Sequence, residues 1–233
     1  MSKIDFINNF SKICNELGLS FEPRFEHGMK VSNNSINIDR VNIGFSEKDI
    51  TKDNLLYIIG KLFDDVNSVN KFIENIYNNH KNKIQQIFLG YSNGSTEIYF
   101  ECFEPGESSY CVSYNSTDKQ QNEYQPLTDH ELIINELVDL IKEKTSLIIS
   151  EPNEIFKGGF VKGGNIYYIL TLEPMSKVGS ILKSLCYNIN LNEKETIDKW
   201  FEEHQSKTVS NIAYTIKNNQ LILNIYVNEP RTT

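Results

Sequence analysis

No apolar run in this chain approaches the roughly 20 residues a membrane-spanning helix needs. Basic residues are outnumbered, 23 Lys and Arg against 31 Asp and Glu, which gives a net charge of −8 and a pI near 5.1. That balance argues against nucleic acid, which is bound through a concentrated Lys/Arg field, and against an anionic membrane surface. The opening MSKIDFINNF lacks the apolar core and small-residue cleavage site of a signal peptide, so the expected compartment is cytoplasmic. Cys14, Cys102, Cys111 and Cys186 form no Cys-x-x-Cys and have no neighbouring His pair, which reads as reduced structural thiols. His27, His80, His130 and His204 are equally isolated. Gly158-Gly159 and Gly163-Gly164 make neither a P-loop nor a Gly-x-Gly-x-x-Gly, and there is no Gly-x-Ser-x-Gly or His-Glu-x-x-His. The single tryptophan, Trp200, lies beside Ile197 and Phe201 and reads as core.

What is present is an ordinary globular composition, 39% hydrophobic and 23% charged. Its 233 residues suffice for one large domain or two intimately packed halves. Two alternating runs flank Ser92-Asn93-Gly94 in Ile84–Phe103, the strongest short-range hairpin signal a sequence offers. A second such unit lies at Val209–Val227 around Asn218-Asn219. Ile98-Tyr99 corresponds to Ile225-Tyr226, and Glu104-Pro105 to Glu229-Pro230. The lag from Tyr99 to Tyr226 is 226 − 99 = 127, and Phe6 and Ile133 share it.

Helical spacing marks 4–17 (Ile4, Ile7, Phe10, Ile13, Cys14, Leu17), 51–66, 69–79, 129–144, 175–187 and 193–205. Residues 21–45 alternate loosely around the turn Ser32-Asn33-Asn34-Ser35 and finish in a strand at 38–45; strand patterns also occupy the two hairpins above and a pair at 156–162 and 166–172 across Gly163-Gly164. Residues 108–114 suit a third strand beside the first hairpin, and the polar stretch 115–125 reads as a loop. Each copy thus runs helix, hairpin, helix, helix, hairpin. The expectation is an α+β protein, a single domain over 1–233 built from two internal repeats at about 1–105 and 129–230. About eight antiparallel strands and six outside helices would form a β-barrel or a large antiparallel sheet.

Alternation sorts the strand residues by face. Val41, Ile43, Phe45, Ile98, Phe100, Cys102, Leu170, Leu223 and Ile225 are expected beneath helices. The opposite face would carry Arg40, Asn42, Gln86, Phe88, Glu97, Tyr99, Glu101, Tyr167, Thr171, Asn211, Asn224 and Tyr226. On an open sheet these residues meet water; in a closed barrel they line a tyrosine-rich lumen of the kind that holds small molecules.

Repeated helix–hairpin–helix units around such a sheet resemble the ABBA aromatic prenyltransferases (PT-barrel family). Phe156–Thr171, FKGGFVKGGNIYYILT, is similar to that family's Gly-Gly-Phe-Lys segment, and Glu97-Ile98-Tyr99-Phe100 to its Leu-Tyr-Phe strand. The resemblance implies transfer of an isoprenoid group from a diphosphate donor to an aromatic acceptor. It implies Lys157 or Lys162 on the diphosphate and Tyr167 within a tyrosine shield for the allyl cation. Alternation adds Arg40 as a basic candidate, Tyr99 and Tyr226 as lining tyrosines, and Glu97 or Glu101 to orient the acceptor. The family usually has five hairpin units where four are counted here, and Thr96, Glu97 and Asn224 stand where it often carries Lys or Arg.

Asp64-Asp65 resembles the paired aspartates that hold Mg2+ in terpenoid enzymes, but it lacks a third carboxylate and sits where a helix cap is expected. Mg2+ thus stays open and no metal ligand set is assigned. A rival reading is a non-enzymatic acidic binding protein, taking a small ligand or a basic protein partner as chaperone and immunity-type proteins do.

Overall fold

The structure, a computed structural model, describes residues 1–103, 110–163, 166–217 and 220–228. Ser108, Glu104-Pro105, Gly164, Asn165, Asn218-Asn219 and Glu229-Pro230, all used above, lie outside the described residues.

The first helix, α1 (Lys3–Glu16), is held at its start by a reciprocal cap. Ser2 Oγ accepts from the Asp5 N–H at 3.2 Å, and the Asp5 carboxylate accepts from the Ser2 N–H at 2.9 Å. Gly18, at φ +66°, lets the chain leave the helix. Phe6, Phe10, Ile13 and Cys14 face inward, while Ile4, expected in the apolar stripe, is 66% exposed. Two residues apart on a helix is about 200° of rotation, so only one of Ile4 and Phe6 can face the core. The bulkier Phe6 does, stacking on Tyr91 at 5.4 Å.

The strands β1 (Arg24–Ser32) and β2 (Ser35–Ser46) follow, then helices α2 (Lys52–Leu62) and α3 (Val66–His80). Thr51 caps α2 and Asp65 caps α3, its carboxylate accepting from the Ser68 N–H at 3.4 Å. Asp65 therefore serves the helix start. Next come β3 (Ile84–Ser92), β4 (Ser95–Cys102), β5 (Tyr110–Asn115) and β6 (Gln120–Pro126). Asn93 and Gly94, both at positive φ, make the expected tight turn between β3 and β4.

The remaining elements are α4 (His130–Thr145), α5 (Pro152–Ile155), β7 (Gly158–Lys162), β8 (Ile166–Pro174), α6 (Met175–Ile189), α7 (Lys194–Glu203), β9 (Thr208–Lys217) and β10 (Gln220–Asn228). Helix, hairpin, helix, helix, hairpin is thus the order of elements from both α1 and α4, with two additions. One is the β5–β6 hairpin, of which β6 replaces part of the expected loop at 115–125. The other is the single turn α5, too short for periodicity to reveal. The ten strands are hydrogen-bonded neighbours in the order β1-β10-β9-β8-β7-β6-β5-β4-β3-β2, a closed antiparallel barrel.

The chain divides into two compact units, residues 1–26 with 39–125, and 27–38 with 126–233. In the first, α1, α2 and α3 cover one face of β2–β5, burying Ile43, Ile87, Leu89, Ile98, Phe100 and Val112 among Phe6, Phe10, Leu55, Ile59 and Phe72. In the second, α4, α6 and α7 bury Ile169, Ile212, Leu223, Ile225 and Trp200. The tip of the β1–β2 hairpin belongs to this unit through Met29, Val31, Ile36 and Ile38. The four cysteines are free thiols, three of them buried. Among the described residues no helix is long and apolar enough to cross a membrane.

Candidate functional site

Strand β4 shows how the site is made. Its residues alternate strictly, Thr96, Ile98, Phe100 and Cys102 buried and Glu97, Tyr99 and Glu101 half-buried. Since Ile98, Phe100 and Cys102 pack under the helices, Glu97, Tyr99 and Glu101 face the other way. Register then assembles the first unit's second face. Phe88, Tyr99, Ser113 and Asn122 lie side by side across β3–β6, flanked by the row Asn42, Gly90, Glu97 and Asn115 and by the row Gln86, Glu101, Cys111 and Tyr124.

This face is tied together by hydrogen bonds. The Tyr99 hydroxyl donates to Glu97 Oε2 at 2.8 Å, and the Ser113 hydroxyl donates to Glu97 Oε1 at 2.6 Å. Asn122 Nδ2 backs Ser113 Oγ at 3.4 Å. Beside them, Asn42 Nδ2 donates to Glu26 Oε2 at 2.7 Å. Two carboxylates are thus fixed in place by neutral donors. Glycines make the room. A Cβ on Gly44 would lie 2.6 Å from the Phe88 ring, and one on Gly90 would lie 3.0 Å from Asn42 Oδ1 and 3.1 Å from the Tyr99 ring.

The Arg24 guanidinium lies 4.8 Å from the Phe88 ring centroid, and Tyr99 and Tyr124 are 6.2 Å apart and tilted. Burial pushes the Glu101 carboxyl above the ordinary carboxylate range. The Arg24 charge opposes that shift and Glu26 reinforces it. The chemistry on offer is three carboxylates and three aromatic rings on one face, with Arg24 beside Phe88 and within reach of the Glu101 charge.

Three of the residues expected from sequence, Glu97, Tyr99 and Glu101, therefore share this face, two of them hydrogen-bonded to each other. Arg40, half-buried beside Ser92 on β2, alternates with the covered Val41 and also faces away from the helices. In the second unit, Tyr226 is buried opposite Asn211 on β10, its neighbours Ile225 and Val227 being the helix-covered ones. Lys162 ends β7 half-buried, paired with Ile166 and next to the helix-packed Val161. Lys157 precedes β7 and is exposed, its N–H donating to the Leu170 carbonyl at 2.7 Å.

Tyr167 is a correction. It packs into the helix-covered cluster, 5.4 Å from the Tyr214 ring, together with Ile169. The faces of β8 are reversed from the alternation reading, so Leu170 lies outside the cluster and Leu172 is 62% exposed. Thr171 is fully buried, its hydroxyl donating to the Val209 carbonyl at 2.7 Å. Both faces of β8 are rich in apolar residues, so hydrophobicity alone does not choose between them. Pairing with β9 chooses: Tyr167 meets Tyr214 and Ile169 meets Ile212, both helix-covered. A bulge between Leu170 and Glu173, with Leu172 at φ +52°, absorbs the change.

Tyr168, between Phe160 and Ala213, takes the place expected of Tyr167. Sequence reasoning also passed over Arg24, Glu26, Ser113, Asn122 and Tyr124. Ser113 lies in the run 108–114 expected as a third strand, whereas the only signal for Asn122 and Tyr124 was a weak alternation in a stretch polar enough to look like a loop.

No family model matches this chain, and no match is found among curated proteins.

Proposed function

We propose that this protein is a non-enzymatic binding protein that takes a small molecule on the polar-aromatic sheet face of its first unit. The observation that carries the reading is the fixed set of Phe88, Tyr99 and Tyr124 rings interleaved with Glu26, Glu97 and Glu101. Aromatic rings supply contact area, and a few anchored polar groups supply orientation. The hydroxyls of Tyr99 and Ser113 both spend their protons on Glu97, an arrangement suited to holding a shape rather than to activating a nucleophile. Three carboxylates against the two guanidiniums of Arg24 and Arg40 leave this face net negative, which disfavours a diphosphate with about three negative charges of its own.

The test is thermal unfolding with neutral planar aromatics on one side and geranyl diphosphate on the other. A ligand that binds only the folded state raises the melting temperature by mass action. The reading expects stabilisation by a neutral aromatic, lost in Tyr124→Ala, and none by the diphosphate. Stabilisation by the diphosphate alone would overturn it.

Prenyl transfer is the second reading. It is supported by the closed antiparallel strand order and by Lys162 and Tyr226, which face away from the helices of the second unit. It expects diphosphate binding that weakens in Lys162→Ala or Arg40→Ala, with Tyr226→Phe nearly silent because a cation shield uses the ring.

A further inference from the structure

Two charged groups on the first unit's polar-aromatic face stand apart from its hydrogen-bond network. Glu101 is half-buried, yet among the described residues no donor reaches its carboxylate, unlike Glu26 and Glu97. Arg24 sits over Phe88, 4.8 Å from the ring centroid, with its Nε buried and unpartnered. The two feel each other's charge, but no hydrogen bond or ion pair joins them. A half-buried carboxylate without a donor and a buried guanidinium N–H without an acceptor are both costly, and the simplest remedy for both is one group inserted between them.

The inserted group must accept from Arg24 and donate to Glu101. A carboxylate or a fully ionised phosphate can only accept, and an ammonium can only donate, so neither meets both demands. The neighbouring Phe88, Tyr99 and Tyr124 favour something flat. Resting on the binding reading above, we infer that this face takes a planar heterocycle whose edge sets two N–H donors beside a carbonyl acceptor. The 2-amino-4-oxo edge shared by guanine and pterin is that chemistry. Its two N–H groups would lie on the Glu101 carboxylate, its carbonyl would accept from Arg24, and its ring would lie among the aromatics. Guanidinium donation to a guanine carbonyl is a recurring pairing.

The experiment is calorimetric titration of the full chain with guanosine, pterin, inosine, adenosine and tyramine. Guanosine or pterin binding, with the tighter of the two naming the source, supports the inference. Inosine lacks one N–H and should bind about tenfold more weakly than guanosine, a lost charged hydrogen bond being worth that much. Adenosine offers a single N–H2 group beside a ring nitrogen, in place of two N–H donors beside a carbonyl, and should bind at least about tenfold more weakly than guanosine. Glu101→Gln and Arg24→Met should each weaken guanosine or pterin about tenfold or more. Because the ligand series is measured on the unaltered protein, it decides the matter even if a variant fails to fold.

Equal affinity for adenosine and guanosine, or unchanged affinity in Glu101→Gln, overturns the inference. Tyramine binding alone overturns it too, leaving the binding reading intact with a cation as ligand. Binding by none of the five overturns it in favour of a bridging water. The binding reading itself falls only if neutral planar aromatics also leave the melting temperature unmoved.

Discussion

Replacing Phe100 by alanine tests the sorting of residues between the two sheet faces. Phe100 is completely buried in β4, with the Phe72 ring 5.9 Å away and the Tyr77 ring 6.2 Å away on α3. Truncating a buried Phe costs about 3–5 kcal/mol, from lost transfer energy plus the cavity left behind. The two ring contacts place this site at the upper end. For a chain of this size each kcal/mol moves the melting temperature by about 2–4 °C, so about 4–5 kcal/mol corresponds to a fall of about 8–20 °C. The adjacent substitution Tyr99→Phe removes only the hydroxyl that donates to Glu97, on the half-buried face. Solvent can replace that bond, so the loss should lie at or below the low end of about 1.5–3 kcal/mol for a charged hydrogen bond. Urea unfolding followed by far-UV circular dichroism, with m-values compared, measures both. A Tyr99→Phe cost equal to or above that of Phe100→Ala would refute the assignment of β4's faces.

Ser113→Ala removes a completely buried hydroxyl that donates to Glu97 at 2.6 Å, and urea unfolding should show a loss of about 1.5–3 kcal/mol. Gly159→Ala would drive a Cβ into the Tyr168 carbonyl oxygen and the Leu127 side chain, so the β7–β8 pairing must shift, at about 1–3 kcal/mol in the same assay. Glu101 has its pKa raised in the folded state, so folding favours its protonated form and its charge destabilises the fold above the unfolded value of about 4.3. Glu101→Gln should therefore raise the melting temperature at pH 7, and the gain should vanish as pH falls toward 4.

The parts of the fold legible in sequence were those where one face of an element is clearly apolar. Asn93-Gly94 announced its turn, and Ile98, Phe100, Leu223 and Ile225 announced the covered face, because each strand has polar residues opposite them. Strand β6 was hidden because its inward residues, Asn122 and Tyr124, include a polar one made tolerable by Ser113, a partner distant in sequence. On β8 the signal was ambiguous, since Tyr167 and Tyr168 each suit a covered position, and long-range register decided between them. Ile4 misled because helical periodicity admits it and only packing against Tyr91 selects Phe6. At the candidate site, Glu97, Tyr99 and Glu101 followed from alternation along a single strand. Arg24 and Glu26 did not, because what brings them to that face is contact with Phe88 and Asn42 on other strands.

The most direct measurement of the central claim is an amide NMR titration of the full chain, with guanosine in one series and geranyl diphosphate in another. Guanosine shifts are expected to concentrate at Arg24, Phe88, Tyr99, Glu101 and Tyr124, with the spectrum unchanged by the diphosphate. Diphosphate shifts concentrated at Lys157, Lys162, Tyr168 and Tyr226, with the Arg24–Glu101 face silent to guanosine, would contradict it.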